Sequence, residues 1–207
     1  MTISVSYDSI LSDVTVSEYL SAWALGFNTA GHGSSNTGGF SNGSLAGDQY
    51  ATHGANSSDY AFIADSDTSN GLHYVFNPLL PASSNQNHFL WGELDNVQLG
   101  TGLGGGSGSD FSLTDFKVAF NGLDLSAASD AGRVGNEVQS VIYGLMQGNT
   151  SALETVLADL LGAIGEDLNS TFDEISAAVA SHAASSATTD VALVGVQDVA
   201  QDWALAA

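Results

Sequence analysis

The sequence predicts a single-domain α+β protein, in which an antiparallel sheet carries helices on one side. The chain has 207 residues, the length of one domain, and 43% of them are hydrophobic, which is enough for a sizeable core. Segments in which apolar and polar residues alternate fill the middle of the chain and have the period of a strand. Stripes with the period of a helix fill the last third, and strands followed by helices are typical of the α+β class.

The N-terminal elements are predicted to be a strand and an amphipathic helix. Residues 2–7 alternate and predict the strand. The helix is indicated by apolar side chains that share one face, namely Val16, Tyr19, Leu20, Trp23 and Phe27. Thr15 and Glu18 have the spacing of a capping box at its start. Residues 28–47 are rich in Gly, Ser and Asn and predict a loop that can approach a ligand closely.

The middle of the chain is predicted to form the sheet. Candidate strands cover residues 48–53, 59–65, 71–76, 88–99 and 115–125. Residues 77–87 contain both prolines of the chain, so they predict a loop rather than a paired strand. Residues 100–110 are rich in Gly and Ser and predict a second loop.

Three helices are predicted in the last third of the chain. Their apolar stripes comprise Val134, Val138, Val141, Ile142 and Leu145; Leu153, Val156, Leu157, Leu160, Leu161 and Ile164; and Phe172, Ile175, Val179 and His182. Ser151 with Glu154, and Thr171 with Glu174, have the spacing of capping boxes. Residues 183–207 are rich in Ala and Ser, so residues 1–182 are predicted as the folded domain and residues 183–207 as a flexible tail.

The composition excludes several classes of function. The chain has 2 basic residues, Lys117 and Arg133, against 23 acidic ones, and its formal net charge is −21. Such a chain cannot neutralise a nucleic-acid backbone, and anionic membrane surfaces repel it. It contains no cysteine, which excludes disulfides and thiolate metal sites. No apolar run reaches the 18 residues that a membrane span needs.

Two of the five histidines are candidate metal or cofactor ligands. His32 lies alone in the glycine-rich loop, and His88 ends the proline-containing loop that begins just after Tyr74. His53 lies at a strand end and is expected to be solvated. His182 extends an apolar helix stripe, which favours a structural role. His73 and Tyr74 are neighbours in a strand, so their side chains should point to opposite faces of the sheet.

Two other functions stay open at this point. Residues 105–110 match the opening of the calcium-binding nonapeptide repeat, G-G-x-G-x-D, which is a feature of secreted calcium-binding proteins and adhesins. The match is a single copy, and one copy cannot build a stacked β-roll. A hydrolase that uses a serine and a histidine is the other alternative, although the chain contains no G-x-S-x-G motif.

An ordered set of short stretches resembles one known family. The stretches are NTGGF at 36–40, DQYA at 48–51, FIA at 62–64, LHY at 72–74, LWG at 90–92, YGLM at 143–146, NSTFD at 169–173 and ALAA at 204–207. In this order they resemble the HasA haem-acquisition proteins, the bacterial hemophores. The resemblance extends over nearly the whole chain, and the order makes the set specific where the single stretches are not.

The resemblance implies a fold and a ligand. The family's fold is a curved antiparallel sheet with helices packed on one face, and haem lies between two loops at one edge. The ligand is ferric haem b, and its axial iron ligands correspond to His32 and Tyr74. The position of His88 is that of a histidine which forms a hydrogen bond with the tyrosine oxygen, and Met146 corresponds to a residue that contacts the cofactor. Two axial ligands leave no open iron position, which favours a carrier over an enzyme.

The chain departs from the family pattern in three places. The segment between Tyr74 and His88 is longer by several residues than is usual in the family. The loop after His32 is shorter, which reduces the expected apolar contacts with the porphyrin. Gln139 stands where relatives often have a histidine. Neither Lys117 nor Arg133 lies near the ligand loops in the sequence, so the haem propionates are expected to point largely into solvent.

The resemblance also implies partners and a location. Family members leave Gram-negative bacteria through an ABC-type, type I export route that uses a C-terminal signal, which here would lie in residues 183–207. The expected haem source is haemoglobin or another host haemoprotein, and the expected acceptor is an outer-membrane haem receptor. The protein is expected to be extracellular, monomeric and non-enzymatic.

Overall fold

A computed structural model describes residues 3–29, 38–42, 44–55, 58–68, 71–106 and 108–192. Four helices are present in this part of the chain: α1 (Val16–Gly26), α2 (Glu137–Met146), α3 (Ser151–Gly162) and α4 (Phe172–Ala192). The eight strands are β1 (Ser4–Tyr7), β2 (Gly39–Phe40), β3 (Ala46–Gly47), β4 (Gln49–His53), β5 (Tyr60–Asp65), β6 (Leu72–Phe76), β7 (His88–Gly104) and β8 (Ser112–Ala127). The predicted α+β class is confirmed.

The strands form one antiparallel sheet. Neighbouring strands follow the order β1-β8-β7-β5-β4-β2, and β6 pairs with both β7 and β3. The prediction that residues 28–47 form a loop is wrong for residues 39–40 and 46–47. These residues form β2 and β3, which pair with β4 and β6. In the described ranges no helix combines the length and the apolar character that a membrane span requires.

Strand β7 spans the sheet and divides it into two regions. Its residues 88–92 pair with β6, and its residues 96–101 pair with β5, while β8 lies along its other side. The prediction that residues 100–110 form a loop is wrong for residues 100–104, which continue the strand. The glycine at position 100 is needed because the backbone of β8 approaches β7 closely there. A Cβ atom on Gly100 would lie 2.4 Å from the backbone oxygen of Asp115.

The core lies on one face of the sheet, under all four helices. Alternate strand residues such as Phe62, Leu99 and Phe120 belong to one buried cluster with residues from each helix. Trp23 of α1 is almost fully buried, and its Nε1 donates to the backbone oxygen of Ala61 at 3.3 Å. The position of the helices on one face is therefore as predicted, and it fixes which sheet residues face α2.

Two of the three predicted capping boxes are present at the starts of the helices. Both hydrogen bonds of the capping box between Thr15 and Glu18 are present at α1, and the same bonds join Thr171 and Glu174 at α4. The box predicted between Ser151 and Glu154 is wrong, because Ser151 is already the first residue of α3. Its backbone N–H donates to the Asn149 side chain, and Glu154 instead accepts from the hydroxyl of the residue before Ser151.

The end of the folded domain stays a prediction. Helix α4 continues through Ala192, ten residues beyond the predicted boundary at 182. Residues 193–207, which would contain the export signal, lie outside the described residues.

Lys117 links the first turn of the chain to β8. Its Nζ lies 3.1 Å from Asp8 Oδ2 and 2.9 Å from Asp115 Oδ1. The pKa of Asp8 is lowered, first by the hydrogen bond from the Ile10 backbone and second by that from Lys117. Both side chains are partly exposed, so the pair makes a small, salt-sensitive contribution to stability.

We expect Lys117→Met to reduce thermal stability near neutral pH and to have less effect in acid. A carboxylate with a depressed folded-state pKa stabilises the fold above its unfolded pKa of about 4, and this contribution is lost as the pH falls through the folded pKa. The difference in Tm between wild type and variant should therefore shrink between about pH 7 and pH 3. If the difference in Tm were the same at both pH values, the stabilisation would come from packing of the lysine's aliphatic chain and not from its charge. Lys117→Arg is the matched control.

Candidate functional site

A cavity of about 780 Å³ lies between the β2–β4 edge of the sheet, strand β6 and helix α2. This volume is in the range of small-molecule and cofactor sites. The wall of the cavity is formed by tyrosine, histidine and apolar side chains and by the backbone of several glycines. The side chains that line it include Phe40, Tyr50, His53, Tyr74, His88, Leu90, Gln139, Tyr143 and Met146. The structure thus brings three of the predicted site residues, Tyr74, His88 and Met146, to one cavity.

Tyr74 reaches the cavity because of its position in β6. It pairs with Leu90 of β7 and has the same orientation as the buried Leu72, two residues before it. His73 points to the opposite face, where its ring stacks on that of Trp91 at a centroid distance of 4.0 Å. The prediction that His73 and Tyr74 face opposite sides of the sheet is confirmed.

His88 begins β7 beside Tyr74. The two ring centroids are 6.4 Å apart and the rings are inclined at 63°. These two described side chains share an edge contact and form no hydrogen bond with each other. The hydrogen bond that the resemblance implies stays a prediction for the ligand-bound protein.

Tyr74 and Tyr50 of the cavity are held in the protonated form by burial. Burial raises the pKa of Tyr74 above the ordinary value of 10.0. Burial, and secondarily the proximity of Tyr74, raises the pKa of Tyr50 to about 12. The Tyr50 hydroxyl donates to the Met146 sulfur at 3.4 Å, which fixes both side chains in the wall. Only a strong positive charge at the Tyr74 oxygen would make the phenolate stable there.

The other histidines are placed differently. His32 lies outside the described residues. His53 was expected to be solvated at a strand end, but it lines the cavity, and its Nδ1 lies 2.7 Å from the backbone oxygen of Gly54. Its strand position gave no signal for this, because the cavity also involves residues 38–40 beside β4, which are brought there by pairing between β2 and β4. His182 is exposed on α4, where a structural role in the core was favoured.

Arg133 contacts the site, although the sequence placed it far from the ligand loops. Its Nη1 lies 3.3 Å from Nε2 of His88, a residue 45 positions earlier. Its Nη2 donates to the backbone oxygens of Ala82 and Ser84 in the loop 77–87. Arg133 reaches the site despite its distance in sequence, because the loop 77–87 folds back onto residues 130–134. The orientation of the haem propionates toward solvent stays a prediction.

Two buried polar residues fix the strand next to His88. Gln139 accepts a hydrogen bond from the Leu90 backbone N–H at 2.6 Å, and Asn136 donates to the Leu90 backbone oxygen at 2.8 Å. Asn136 also caps α2 by accepting from the Gln139 backbone N–H. In the sequence, Gln139 differs from the family pattern but carries no signal of a structural role. Its role is to join the start of α2 to β7, and thereby to align both sides of the cavity.

The calcium-binding alternative has no support in the described residues. Residues 105, 106 and 108 are glycines with positive φ in the turn between β7 and β8, which is a geometric need of the hairpin. In the part of the chain that the structure describes, no three or more His, Asp or Glu side chains gather as a metal site would require.

The donor set of the cavity fits a planar, largely apolar ligand that carries ferric iron. A phenolate oxygen is a hard donor that ferric iron favours, and tyrosine is a known protein ligand of haem iron. Phe40, Leu90 and Met146 offer apolar and polarizable contact surface beside it. These three side chains belong to β2, β7 and α2, so they can contact a flat molecule from several sides.

Comparison with known proteins agrees with this chemistry. The family model described as "Heme-binding protein A (HasA)" matches residues 1–207. Hemophore HasA of Serratia marcescens is 40% identical over 185 residues, which cover 87% of this chain and 93% of that protein. An apo structure of hemophore HasA from Yersinia pestis is 27% identical, with a TM-score of 0.66, over 84% of this chain and 95% of that chain.

A holo structure of the Yersinia pestis hemophore HasA is also similar. It is 26% identical, with a TM-score of 0.65, and the match covers 83% of this chain and 94% of that one. The family model extends over the full sequence, and the Serratia relative is well above the identity at which common ancestry is secure. The chain therefore belongs to the HasA family of heme-binding proteins.

Proposed function

We propose that this protein is an extracellular hemophore, which binds ferric haem in the cavity beside Tyr74 and carries it to a receptor. The observation that carries the proposal is the Tyr74 phenol, held on β6 in a cavity of suitable size in a chain of the HasA family. The relatives named hemophore, one of them in a holo structure, support the same ligand.

Tyr74, in the wall formed by β6, is the first proposed iron ligand. Ferric iron, when bound, supplies the positive charge that stabilises a phenolate. Because burial raises the pKa of Tyr74, the ligand-free protein keeps the phenol protonated, and binding releases that proton. The Tyr50 hydroxyl and the Met146 sulfur, bonded to each other, keep the neighbouring wall in place, and His88 lies where it can reach the Tyr74 oxygen.

His32 is the proposed second axial ligand. With Tyr74 and His32 both on the iron, no iron position remains for oxygen or substrate chemistry, so we propose a carrier and not an enzyme. Ligands on two separate segments also provide a release route, because withdrawal of one segment leaves a single protein bond to the iron.

The partners and location follow from the same proposal. Haem would come from haemoglobin or another host haemoprotein and pass to an outer-membrane haem receptor of a Gram-negative bacterium. Export by an ABC-type machinery would use a signal in residues 183–207. A net charge of −21 supports a monomeric, well-solvated carrier with no affinity for nucleic acid.

Titration with haemin tests the proposed function. We expect the purified protein to saturate at about one haem per chain, with a sharp Soret band, and to take haem from methaemoglobin. Absence of a saturable Soret change would contradict the proposal. Calcium-dependent stabilisation without haem binding would favour the calcium-binding alternative, and turnover of a model ester would favour the hydrolase.

The His32 assignment is tested in the same titration. We expect His32→Ala to retain haem through Tyr74 but to change the spectrum from that of six-coordinate to that of five-coordinate ferric haem. His182→Ala is the matched control, since His182 lies exposed on α4, and its spectrum should equal that of the wild type. An unchanged spectrum in His32→Ala would remove this residue from the ligand set.

A further inference from the structure

Arg133 is one of the two basic residues in the chain and the one that touches the site. We propose that Arg133 is a positioning residue, which fixes the His88 imidazole in the tautomer that carries its proton on Nδ1. The benefit to haem binding rests on the proposed function. The tautomer itself can be measured in the haem-free protein.

The tautomer follows from the chemistry of the two groups. A guanidinium has five N–H donors and no acceptor, and it stays protonated in proteins. The Arg133 Nη1 lies 3.3 Å from the His88 Nε2, so in this contact the histidine nitrogen accepts. A neutral imidazole that accepts at Nε2 carries its hydrogen on Nδ1.

The guanidinium is held in place from a second direction. Its Nη2 donates to the backbone oxygens of Ala82 and Ser84, so the planar group is fixed between the loop 77–87 and the histidine. The backbone N–H of Arg133 donates to the Asn85 side chain at 2.7 Å, which also fixes the start of the arginine. A side chain held at both ends retains one geometry toward His88.

The loop itself is closed at its base. The Asn87 side chain is buried and donates to the backbone oxygens of Asn77 and Leu80, at 2.9 and 2.7 Å. The Asn85 side chain accepts from the backbone N–H groups of Arg133 and Val134. The closed loop thus supplies the carbonyl groups that orient the arginine.

The fixed tautomer determines what His88 offers to Tyr74. With Nε2 engaged by Arg133, the donor that the His88 ring retains is the N–H at Nδ1. The Tyr74 ring lies in edge contact with His88 at a centroid distance of 6.4 Å, and we propose that this donor serves its phenolic oxygen. A donor stabilises a phenolate bound to iron, whereas the other tautomer would turn a lone pair toward the anion. Arg133 therefore acts on the iron ligand through His88 and does not touch it.

Nitrogen-15 NMR of the haem-free protein tests the tautomer. Long-range proton–nitrogen correlations, with His88 assigned by its loss in His88→Gln, should show the Nδ1–H form in the wild type. In Arg133→Met we expect the Nε2–H form or a mixture, and in Lys117→Met, the control for loss of a basic residue, no change. A wild-type His88 with its proton on Nε2 overturns the proposal, and this result needs no variant of Arg133 to fold.

Haem affinity tests whether Arg133 acts through His88. We expect Arg133→Met to weaken haemin binding about 10- to 100-fold, as loss of an outer-sphere partner does at metal sites. In a His88→Phe background the same change should alter affinity by less than about 2-fold, because the intermediary is gone. An equal loss in both backgrounds overturns the proposal and assigns Arg133 to loop structure alone. If the wild type fails to bind haemin, the proposed function fails, and the NMR result still decides the tautomer.

Discussion

We expect Tyr74→Phe to lower haem affinity by about 100-fold or more, since removal of a ligand should exceed the 10- to 100-fold effect typical of its outer-sphere partners. The substitution removes one oxygen and keeps the ring that lies over Leu72 and Leu90, so the sheet should be unaffected. The charge-transfer absorption of ferric tyrosinate should disappear with it. Haemin titration followed by absorbance, with affinity from competition against a known haem binder, measures both effects.

Tyr143→Phe is the matched control for this prediction. Tyr143 lines the same cavity but is 49% exposed at the surface of α2, and its loss should change affinity by no more than about 3-fold. If Tyr74→Phe retained wild-type affinity and spectrum, the iron ligand would have to be another cavity residue. Tyr50 and His53 would be the next to test, because both line the same wall.

We expect Phe172→Ala to reduce the free energy of unfolding by about 3–5 kcal/mol, the usual cost of truncating a buried phenylalanine. Phe172 begins α4 and is fully buried. Its ring stacks on that of Tyr7 at a centroid distance of 5.3 Å. The centroid distances to the rings of Tyr19 and Phe120 are 5.9 and 6.3 Å. Phe172 therefore joins α4 to both β1 and β8. Urea unfolding followed by tryptophan fluorescence measures the change.

Phe76→Ala is the control for this stability prediction. Phe76 is 58% exposed at the end of β6, so the same substitution should cost less than about 1 kcal/mol. Equal losses in the two variants would mean that strand and helix propensities, and not core packing, dominate. A small loss in Phe172→Ala alone would mean that α4 is not part of the cooperative fold.

The elements that could be predicted from sequence are those with local causes. The helix at Val16–Gly26 combined an apolar face with a capping box, and both signals depend only on residues within three or four positions. The strand at Tyr60–Asp65 and the opposed orientations of His73 and Tyr74 follow from the two-residue period. The resemblance added the cavity residues Tyr74, His88 and Met146, which share no local pattern.

The features that sequence analysis missed depend on contacts between distant segments. Gly100 suggested a loop, but it is glycine because β8 passes too close for a side chain. Arg133 and His88 are 45 positions apart, and no pattern marks them as neighbours. His53 lines the cavity together with residues of β2, β6 and α2, which are far from it in sequence or separated from it by a loop. Such pairs are set by tertiary packing, for which a single sequence carries no periodic signal.

The positions of the two basic residues also determine how susceptible the folded protein is to trypsin-like proteases. Trypsin-like proteases recognise a Lys or Arg side chain in an acidic pocket and need the adjoining backbone in an accessible, extended form. Lys117 lies within β8 between two paired strands, with its ammonium between two carboxylates, and the Arg133 guanidinium is enclosed by loop carbonyls. Cleavage at either residue must wait for unfolding of the surrounding structure, so we expect the folded protein to resist trypsin-like proteases.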